Sequence, residues 1–332
     1  MNDQQFIINR GERGQTLASV LKHRLTMSWS QARQMIERRR VRLAGQVCAD
    51  AVRRVQPGQR VEVISDKPAR RSKPRTEPKK PAPALPRPAL VHLDDWIVVV
   101  EKPASVTTMR HAEEAAEFGP RGKHYLPPTL ADALPPLVGG PVRAVHRLDR
   151  DTSGLVVFAR TPEAERELGK QFRAHTIARK YLAVVRNRPA AGRIESNFVR
   201  DRGDGRRGSG VDDGDGQRAV THIAVVEELG DFTLMECRLE TGRTHQVRIH
   251  LGELGTPICG ETIYDRPLHG APVADDSSSA RLALHAALLG LHHPETREWM
   301  EWESPLPDDL NQLVSRLRLR RDAVDSSDTS DL

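Results

Sequence analysis

Long apolar segments are missing from this 332-residue chain. No run of about 18 or more apolar residues occurs, and the N-terminus has no apolar stretch of the kind that a secretory signal peptide needs. The three cysteines, Cys48, Cys237 and Cys259, are odd in number and lack metal-type spacing. We therefore expect a cytoplasmic protein without a disulfide framework, a zinc site or membrane association.

The sequence also contains few motifs of the kinds that bind metals and nucleotides. No P-loop motif occurs, which argues against a nucleotide-binding doubly wound fold. The histidines that cluster towards the C-terminus have no paired acidic ligands, which favours structural or RNA-facing roles: His245, His250, His285, His292 and His293. The sequence therefore predicts no metal site.

Positive charge is concentrated at the N-terminal end. Residues 1–66 have 12 Lys or Arg against 6 Asp or Glu, and residues 67–88 have 8 against 1. The first 88 residues therefore carry +13, whereas the whole chain carries +6. Such a block suits a polyanion such as nucleic acid, because Lys and Arg release counterions from phosphates. A solvated basic tail is the alternative for residues 67–88.

Composition divides the chain into four segments. Residues 67–88 are rich in proline and poor in apolar residues, which predicts an extended, basic linker. This linker would separate a domain at 1–66 from a larger domain at 89–316. Gly and Asp at 200–217 predict a flexible insertion between two strands, and the acidic residues of 317–332 predict a disordered tail.

The first domain is predicted to have two helices followed by a small sheet. Apolar residues recur at helical spacing from Leu17 to Leu25 and from Trp29 to Ile36, and strand-like runs begin at Val41 and Val61. Five arginines would form a basic face: Arg33, Arg38, Arg39, Arg40 and Arg42. This unit resembles the RNA-binding domain first known from ribosomal small-subunit protein four. The resemblance implies recognition of structured RNA through backbone and shape contacts.

A charged motif, His-Arg-Leu-Asp-Arg-Asp-Thr-Ser-Gly, occupies residues 146–154. It lies between two apolar runs, so we expect Asp149 on a short loop between two strands. Arg147 and Arg150 favour the ionised form of this carboxylate, which can act as a nucleophile or a base. A charge-balanced surface turn is the alternative. Asp151 is interpreted as a turn residue and not as the second acid that a glycosidase needs.

The larger domain is predicted to be α+β, with a mixed, largely antiparallel sheet and helices packed on it. We expect a strand that ends at Lys102, strands at 180–185 and 232–240, and an amphipathic helix that begins after Thr161. Residues 242–251 are predicted to form a helix whose first turn carries Arg243 and His245.

Four motifs in this domain resemble those of the RluA-type pseudouridine synthases. They are residues 146–154, Lys180-Tyr181, residues 242–250, and residues 281–286 followed by His293-Pro294. The resemblance implies the pseudouridine synthase fold and an isomerase that converts uridine in RNA to pseudouridine. It implies no redox cofactor, ATP or metal, because the reaction adds and removes no atom.

The resemblance also implies roles for particular residues. Asp149 would be the catalytic aspartate, and Tyr181 would stack on the target uracil. Arg243 would pair with the aspartate, with Arg248 of the same motif as the alternative. Arg147 would hold the extruded nucleotide, and Arg248 and His245 would contact the substrate. Without the resemblance, Tyr181 could simply fill the core and Arg243 could cap a neighbouring strand.

The expected partner is RNA, with large-subunit ribosomal RNA ahead of tRNA, and the protein is expected to be a monomer. A non-catalytic RNA-binding or ribosome-assembly factor that retains the fold is the alternative from another class. A metal-dependent nuclease lacks the necessary ligands. The intact combination of Asp149, Tyr181 and Arg243 favours the isomerase.

The chain departs from the family pattern at a few positions. Ser105 stands where the family usually has Gly, shortly after Lys102-Pro103. Glu261 stands where Asp is general, Tyr264 is kept, and Asp265 stands where Gly is common. We expect these positions to lie outside the catalytic set and to affect loop geometry more than activity.

Overall fold

The computed structural model describes residues 4–12, 15–27, 29–37, 39–48, 53–64, 85, 87–110, 128–210 and 216–328. The chain divides into two compact units, Met1–Lys80 and Pro81–Leu332. The division falls within the segment 67–88 predicted as a linker, most of which lies outside the described residues. Each unit has its own sheet and its own hydrophobic core.

The N-terminal unit combines two helices with a four-stranded antiparallel sheet, in the order β1-β4-β2-β3. Its elements are β1 (Gln4–Ile7), a 3-10 helix (Arg10–Glu12), α1 (Leu17–Arg24), α2 (Trp29–Glu37), β2 (Val41–Leu43), β3 (Gln46–Cys48) and β4 (Arg60–Val63). The predicted helices and strands are confirmed, because their periodic apolar residues form one buried cluster that includes Leu17, Leu21, Ile36, Val41 and Val61.

The predicted basic face of this unit is described only in part. Arg39 follows α2 with a φ of 59° and is exposed, as is Arg42 on β2, while Arg40 is half-buried. Arg33 lies in α2, but its side chain is outside the described part of the structure. Arg38 lies outside the described residues altogether.

The C-terminal unit is built on one eleven-stranded sheet. Along the sheet the strand order is β11-β10-β12-β13-β9-β14-β8-β6-β5, with β15 paired to β14 and β7 to β8. Its elements are β5 (Ala89–Leu93), β6 (Ile97–Lys102), α3 (Leu130–Ala133), α4 (Pro135–Val138), β7 (Arg143–Ala144), β8 (Ser153–Ala159), α5 (Pro162–Ala174), β9 (Ala178–Arg186), β10 (Gly192–Val199), β11 (Gly208–Ser209), β12 (Gln217–Leu229), β13 (Phe232–Leu239), α6 (Gln246–Glu253), β14 (Leu284–His292), β15 (Trp299–Glu303) and α7 (Asp308–Asp328).

Antiparallel pairing dominates this sheet, and among the strands described only β8 and β14 run parallel. This arrangement confirms the predicted α+β class. Strands β6 and β8 are buried on both faces, because helices cover the sheet on both sides. On one face Ala164 and Leu168 of α5 pack on Val157, and on the other Leu130 and Leu134 belong to the cluster of α3 and α4.

Helix α5 begins where the sequence predicts. The hydroxyl of Thr161 accepts a hydrogen bond from the Ala164 amide at 3.1 Å, and Pro162 occupies the first turn. Proline is well suited to this place, because its missing N–H would have no partner within the helix. The local signals are therefore sufficient to place the start of this helix.

The insertion predicted at 200–217 is partly fixed by a buried arginine. The Arg202 side chain is fully buried and forms ion pairs with Asp204 at 3.0 Å and Glu253 of α6 at 3.2 Å. Residues 211–215 lie outside the described residues. The segment contains a Gly-x-Gly-x-x-Gly spacing at residues 203–208, but it leads into the short strand β11 and not into the helix that a dinucleotide site needs.

The predicted disorder of residues 317–332 is wrong for residues 317–328, because α7 continues to Asp328. The helix packs Leu310, Leu313 and Leu317 into the largest core cluster. Arg318 pairs with Glu227 of β12 and extends this anchorage along the helix. Composition did not reveal these partners, since they come from distant strands. Residues 329–332 lie outside the described residues.

Candidate active site

The loop of residues 145–152 carries Asp149 between β7 and β8, as predicted. The hydroxyl of Thr108 holds this loop by both donating and accepting a hydrogen bond. Its hydroxyl donates to the Leu148 carbonyl at 2.9 Å and accepts from the Leu148 amide at 3.2 Å. Immediately afterwards, the Thr152 amide donates to the carbonyl of Asp149 at 3.2 Å and closes a turn. The backbone is therefore fixed on both sides of the carboxylate.

Lys102, the last residue of β6, ties a second loop to this one. Its ammonium group is fully buried and donates to the carbonyls of Pro103 at 2.9 Å, Val106 at 2.8 Å and Arg150 at 3.0 Å. Burial lowers the pKa of Lys102 to about 7, while two nearby carboxylates act to raise it. The three acceptors match the three donors of a lysine ammonium, so this side chain joins two loops that have no direct strand pairing.

The start of β8 is supported by the motif at residues 281–286. Gly154 has a φ of 113°, and a Cβ at this position would lie 2.3 Å from the Ala286 carbonyl oxygen. Only glycine allows β8 and β14 to approach this closely. Next to it, the Ser153 hydroxyl lies 2.9 Å from Nδ1 of the buried His285, whose Nε2 lies 3.0 Å from the Ser304 hydroxyl. His285 thus has a structural role.

The helix predicted at residues 242–251 begins later than expected, at Gln246. Its buried side chain accepts hydrogen bonds from the Arg243 amide at 2.9 Å and the Thr241 hydroxyl at 2.7 Å. His245 precedes the helix with a φ of 60°. The prediction that Arg243 and His245 lie in the first turn is therefore wrong, because the Gln246 side chain closes a separate turn ahead of α6.

The carboxylate of Asp149 faces two side chains of this motif. Nη1 of Arg248 lies 3.2 Å from Oδ2, and Nε2 of His245 lies 3.7 Å from Oδ1. The Asp149 side chain is 19% exposed, so the carboxylate is accessible yet shielded from most solvent. The arrangement places a guanidinium beside the carboxylate without enclosing it fully.

The arginine that pairs with Asp149 is Arg248, and the predicted pairing with Arg243 is wrong. Nε of Arg243 donates instead to the Arg218 carbonyl at 2.9 Å, at the rim of the site. The difference follows from the late start of the helix. Arg248 belongs to α6 and extends towards the loop of Asp149, whereas Arg243 belongs to the preceding turn and extends towards β12.

Glu261 anchors Arg248 from the opposite side. Nε and Nη2 of Arg248 lie 2.6 and 2.9 Å from the two carboxylate oxygens of Glu261, which is 3% exposed. Burial acts to raise the pKa of Glu261, but the hydrogen bonds and charge of Arg248 outweigh it and lower this pKa. Burial acts to lower the pKa of Arg248, but Glu261 and Asp149 outweigh it and raise this pKa. The guanidinium is thereby held between two carboxylates.

Tyr264 supports both groups that face Asp149. Its ring lies 5.3 Å from Cζ of Arg248, and its hydroxyl lies 2.8 Å from Nδ1 of His245. We expected Glu261 and Tyr264 to lie outside the catalytic set, and neither lines the cavity, but both contact the groups that face Asp149. The available signal was their position directly after Gly260 in a recognisable motif, but only the fold brings them beneath Arg248.

Tyr181 of β9 lies on another wall of the same site. It packs partly against two core clusters, and burial raises its pKa to about 12. Arg179 acts to lower this pKa and Asp149 acts to raise it further. The phenol is therefore neutral at physiological pH, with its ring available to the cavity.

All six residues predicted for catalysis and substrate binding line one cavity of about 200 Å³: Arg147, Asp149, Tyr181, Arg243, His245 and Arg248. Apolar side chains, among them Leu148, Leu239 and Leu284, complete its walls. Arginines thus rim a cavity whose interior combines a carboxylate with apolar and aromatic surface. This chemistry suits a planar, uncharged ring attached to an anionic backbone.

The other predicted histidines contact protein groups. Nδ1 of His250 lies 2.8 Å from the Thr221 hydroxyl, Nε2 lies 3.1 Å from the Ser196 hydroxyl, and burial lowers its pKa to about 4. His292 and His293 lie at the end of β14, where His293 is 3.3 Å from Asp94. Within the described ranges no group of three His, Cys, Asp or Glu side chains is arranged to hold a metal ion. No helix there is both long enough and apolar enough to span a bilayer.

A family model described as RNA pseudouridylate synthase matches residues 96–253. The "Uncharacterized RNA pseudouridine synthase YlyB" of Bacillus subtilis is 43% identical over 176 residues, which are 52% of this chain and 55% of that protein. The "Ribosomal large subunit pseudouridine synthase D" of Zymomonas mobilis is 35% identical over 257 residues, covering 71% of this chain and 77% of that protein.

A solved structure, "Human RNA Pseudouridylate Synthase Domain Containing 4", is 25% identical, with a TM-score of 0.51 over 69% of this chain and 93% of that one. The chain covers 55%, 63% and 61% of the first three curated relatives that it matches. The Zymomonas relative is matched over more than three quarters of its length, and the matched family segment contains Asp149, Tyr181 and Arg248. The chain therefore belongs to the RNA pseudouridylate synthase family.

Proposed function

We propose that this protein isomerises uridines in RNA to pseudouridines, with Asp149 as the catalytic carboxylate. The observation that carries the proposal is the pairing of Asp149 with Arg248 at 3.2 Å in a cavity that Tyr181 also lines. An ionised carboxylate beside an aromatic ring is what this reaction needs.

The reaction breaks the bond between uracil N1 and the ribose, turns the base and rejoins it through C5. Asp149 could attack as a nucleophile or remove a sugar proton, and both routes need a carboxylate in its ionised form. The proton on C5 leaves at the end and N1 takes up a proton, so the base is isomerised without any net gain or loss of atoms.

Tyr181 would stabilise the base outside the RNA stack. Extrusion of a base costs a few kcal/mol, and stacking on an aromatic side chain returns roughly 1–3 kcal/mol. Because burial keeps the phenol neutral, the ring can stack without adding charge beside Asp149. Arg147 and Arg243, at the rim, would bind the flanking phosphates.

Large-subunit ribosomal RNA is the substrate that we propose, since several relatives carry the name ribosomal large subunit pseudouridine synthase D. The N-terminal unit would bind structured RNA through its arginines, of which Arg39 and Arg42 are exposed. We further propose that the protein acts as a monomer in the cytoplasm, where this RNA is found in bacteria.

The decisive experiment uses large-subunit ribosomal RNA labelled with tritium at uracil C5. Wild type should release the label, and Asp149→Asn should release it at least about a thousandfold more slowly, because the amide can neither attack nor accept the proton. Asp151→Asn is the matched control on the same loop and should retain most of the activity. Equal release by wild type and Asp149→Asn would refute the proposal.

The same assay separates the alternatives. Wild type that binds RNA but releases no tritium from any RNA would indicate a non-catalytic binding factor. Release from tRNA but not from ribosomal RNA would move the substrate to tRNA. Chemical mapping of pseudouridines in RNA from cells with and without the gene would then identify the uridine.

A further inference from the structure

The two oxygens of the Asp149 carboxylate have different neighbours. Arg248 contacts Oδ2 at 3.2 Å, whereas Oδ1 faces Nε2 of His245 at 3.7 Å. Because the guanidinium engages Oδ2, Oδ1 is the oxygen that remains for chemistry. The group opposite Oδ1 therefore influences the direction in which the reactive lone pair points.

His245 faces this oxygen as a neutral imidazole. Burial lowers its pKa, and Arg248 and Arg147 act in the same direction, while Asp149 and Glu261 oppose them. A neutral ring has one N–H, so one nitrogen donates and the other accepts. A hydrogen on Nδ1 would leave the Nε2 lone pair facing a carboxylate, which is electrostatically unfavourable. A hydrogen on Nε2 turns a donor towards Oδ1 instead.

Tyr264 provides a hydrogen-bonding partner for the other ring nitrogen. Its hydroxyl lies 2.8 Å from Nδ1 of His245. Burial raises the pKa of Tyr264, so the phenol keeps its hydrogen and can donate it to Nδ1. Donation to Nδ1 leaves the ring hydrogen on Nε2, because the nitrogen that accepts cannot also carry the hydrogen.

We propose that Tyr264 is a positioning residue for the isomerisation: its hydroxyl holds His245 in the tautomer that directs Nε2–H towards the reacting oxygen of Asp149. The inference rests on the proposed function of Asp149. A neutral donor is suited to this place, since it orients the carboxylate without the second full positive charge that would make it a weaker base and nucleophile.

The surroundings of Tyr264 allow its hydroxyl to be removed by substitution without a change in the position of its ring. The residue is 4% exposed, its amide donates to Glu261 at 3.2 Å, and its carbonyl oxygen would lie 2.2 Å from a Cβ at Gly252. These contacts fix the backbone and ring whether or not the hydroxyl is present. Tyr264→Phe therefore removes the bond to His245 and retains the packing beneath Arg248.

The test is a double-mutant cycle in the full-length protein with C5-tritiated RNA. We expect Tyr264→Phe to lower kcat about tenfold with KM unchanged within twofold. In a His245→Ala background the same substitution should cause no further loss, because the hydroxyl acts only through the imidazole. Equal losses in both backgrounds, or an unchanged kcat in Tyr264→Phe, would overturn the inference.

A matched control removes another hydroxyl beside α6. Thr256 donates to the Leu251 carbonyl at 3.3 Å, away from His245 and Asp149. Thr256→Val should leave kcat within twofold of wild type, even if it lowers the melting temperature. A tenfold loss in this variant as well would assign the Tyr264 effect to general packing and overturn the positioning role.

Nitrogen-15 NMR of His245 supplies a readout that does not depend on turnover. Wild type should show hydrogen on Nε2 and none on Nδ1, and Tyr264→Phe should show a mixture of tautomers. Hydrogen on Nδ1 in wild type would overturn the inference. Failure of the proposed function gives a different result: wild type would then release no tritium from any RNA, so no variant could be slower.

Discussion

The two sides of the cavity hold their functional groups by different means. On the loop side, residues 145–152 are fixed through backbone groups, which Thr108 and Lys102 bind directly. On the helix side, Arg248 is fixed through side chains, between Asp149 and the buried Glu261. Hydrogen bonds to the backbone position the main chain at Asp149, whereas the side chains on the helix side depend on the charges of specific partners.

This contrast has a physical consequence. Each neutral hydrogen bond to the loop backbone, such as those of Thr108, contributes about 1 kcal/mol, so the loss of one such bond has a small effect. A buried ion pair is different, since removal of one partner leaves an uncompensated charge that costs about 3–5 kcal/mol. We therefore expect a substitution on the helix side to lower the free energy of unfolding more than a substitution on the loop side.

Substitution of Arg248 should have the largest effect on activity and stability, and it tests the difference between the loop side and the helix side. Arg248→Met should lower kcat at least about a hundredfold, because Asp149 loses its partner, and should lower the free energy of unfolding by about 3–5 kcal/mol, because Glu261 stays buried without a cation. Arg243→Met is the matched control in the same motif and should affect mainly KM. The measurements are tritium release and urea unfolding, and equal losses of kcat in both variants would contradict the assignment.

Acid should weaken the helix side through His250, whose pKa burial lowers to about 4. An unfolded histidine has a pKa near 6.5, so between about pH 6.5 and 4 the unfolded chain binds more protons and stability falls as the pH falls. At pH 5 the loss due to this residue should be about 2 kcal/mol relative to pH 7. Urea unfolding of wild type and His250→Gln should be measured at pH 7 and pH 5. The loss due to His250 is the amount by which the free energy of unfolding falls further in wild type than in the variant.

Protonation of carboxylates also lowers the free energy of unfolding at pH 5, but it does so equally in both proteins and cancels when they are compared. A His250→Gln variant with the same pH dependence as wild type would show that folding does not lower the pKa of this imidazole.

The smallest effect concerns the loop side. Ser105 has a φ of 64°, a left-handed conformation that favours glycine, in the loop that Lys102 joins to that of Asp149. Ser105→Gly should raise the free energy of unfolding by up to about 1 kcal/mol, because glycine relieves the strain of this conformation. Thermal or urea unfolding measures the change, and kcat should stay within twofold of wild type. A loss of stability would indicate that the serine side chain contributes more than the strain costs.

Much of the fold was predictable because its signals are local. The apolar periodicity of α1 and α2, the Thr161 cap of α5 and the loop of Asp149 between two strands all depend on residues close together in the chain. The errors concern partners that are distant in sequence. Helix α7 packs on the core up to Leu317, and beyond it Arg318 pairs with Glu227, which lies 91 residues earlier. Arg202 is held by Glu253, which lies 51 residues further on.

The candidate site shows the same division. Asp149 and Tyr181 were identified from their motifs, and both line the cavity. The motif predicts Arg243 as the partner of Asp149, with Arg248 as the alternative, and Arg248 is the residue that contacts it, because the choice depends on where α6 begins. Gln246 decides this through buried hydrogen bonds to Arg243 and to β12, which a linear pattern does not reveal.

The sequence by itself determined the family motifs, the concentration of positive charge before residue 88, the α+β class and the identity of the central carboxylate. These properties are either compositional or carried by residues within one or two turns of each other. Only the tertiary structure decided that Arg248 pairs with Asp149, that Glu261 and Tyr264 support that pair, and that Lys102 joins two loops. Burial and charge pairing depend on distances in space, and the fold sets these distances independently of separation along the chain.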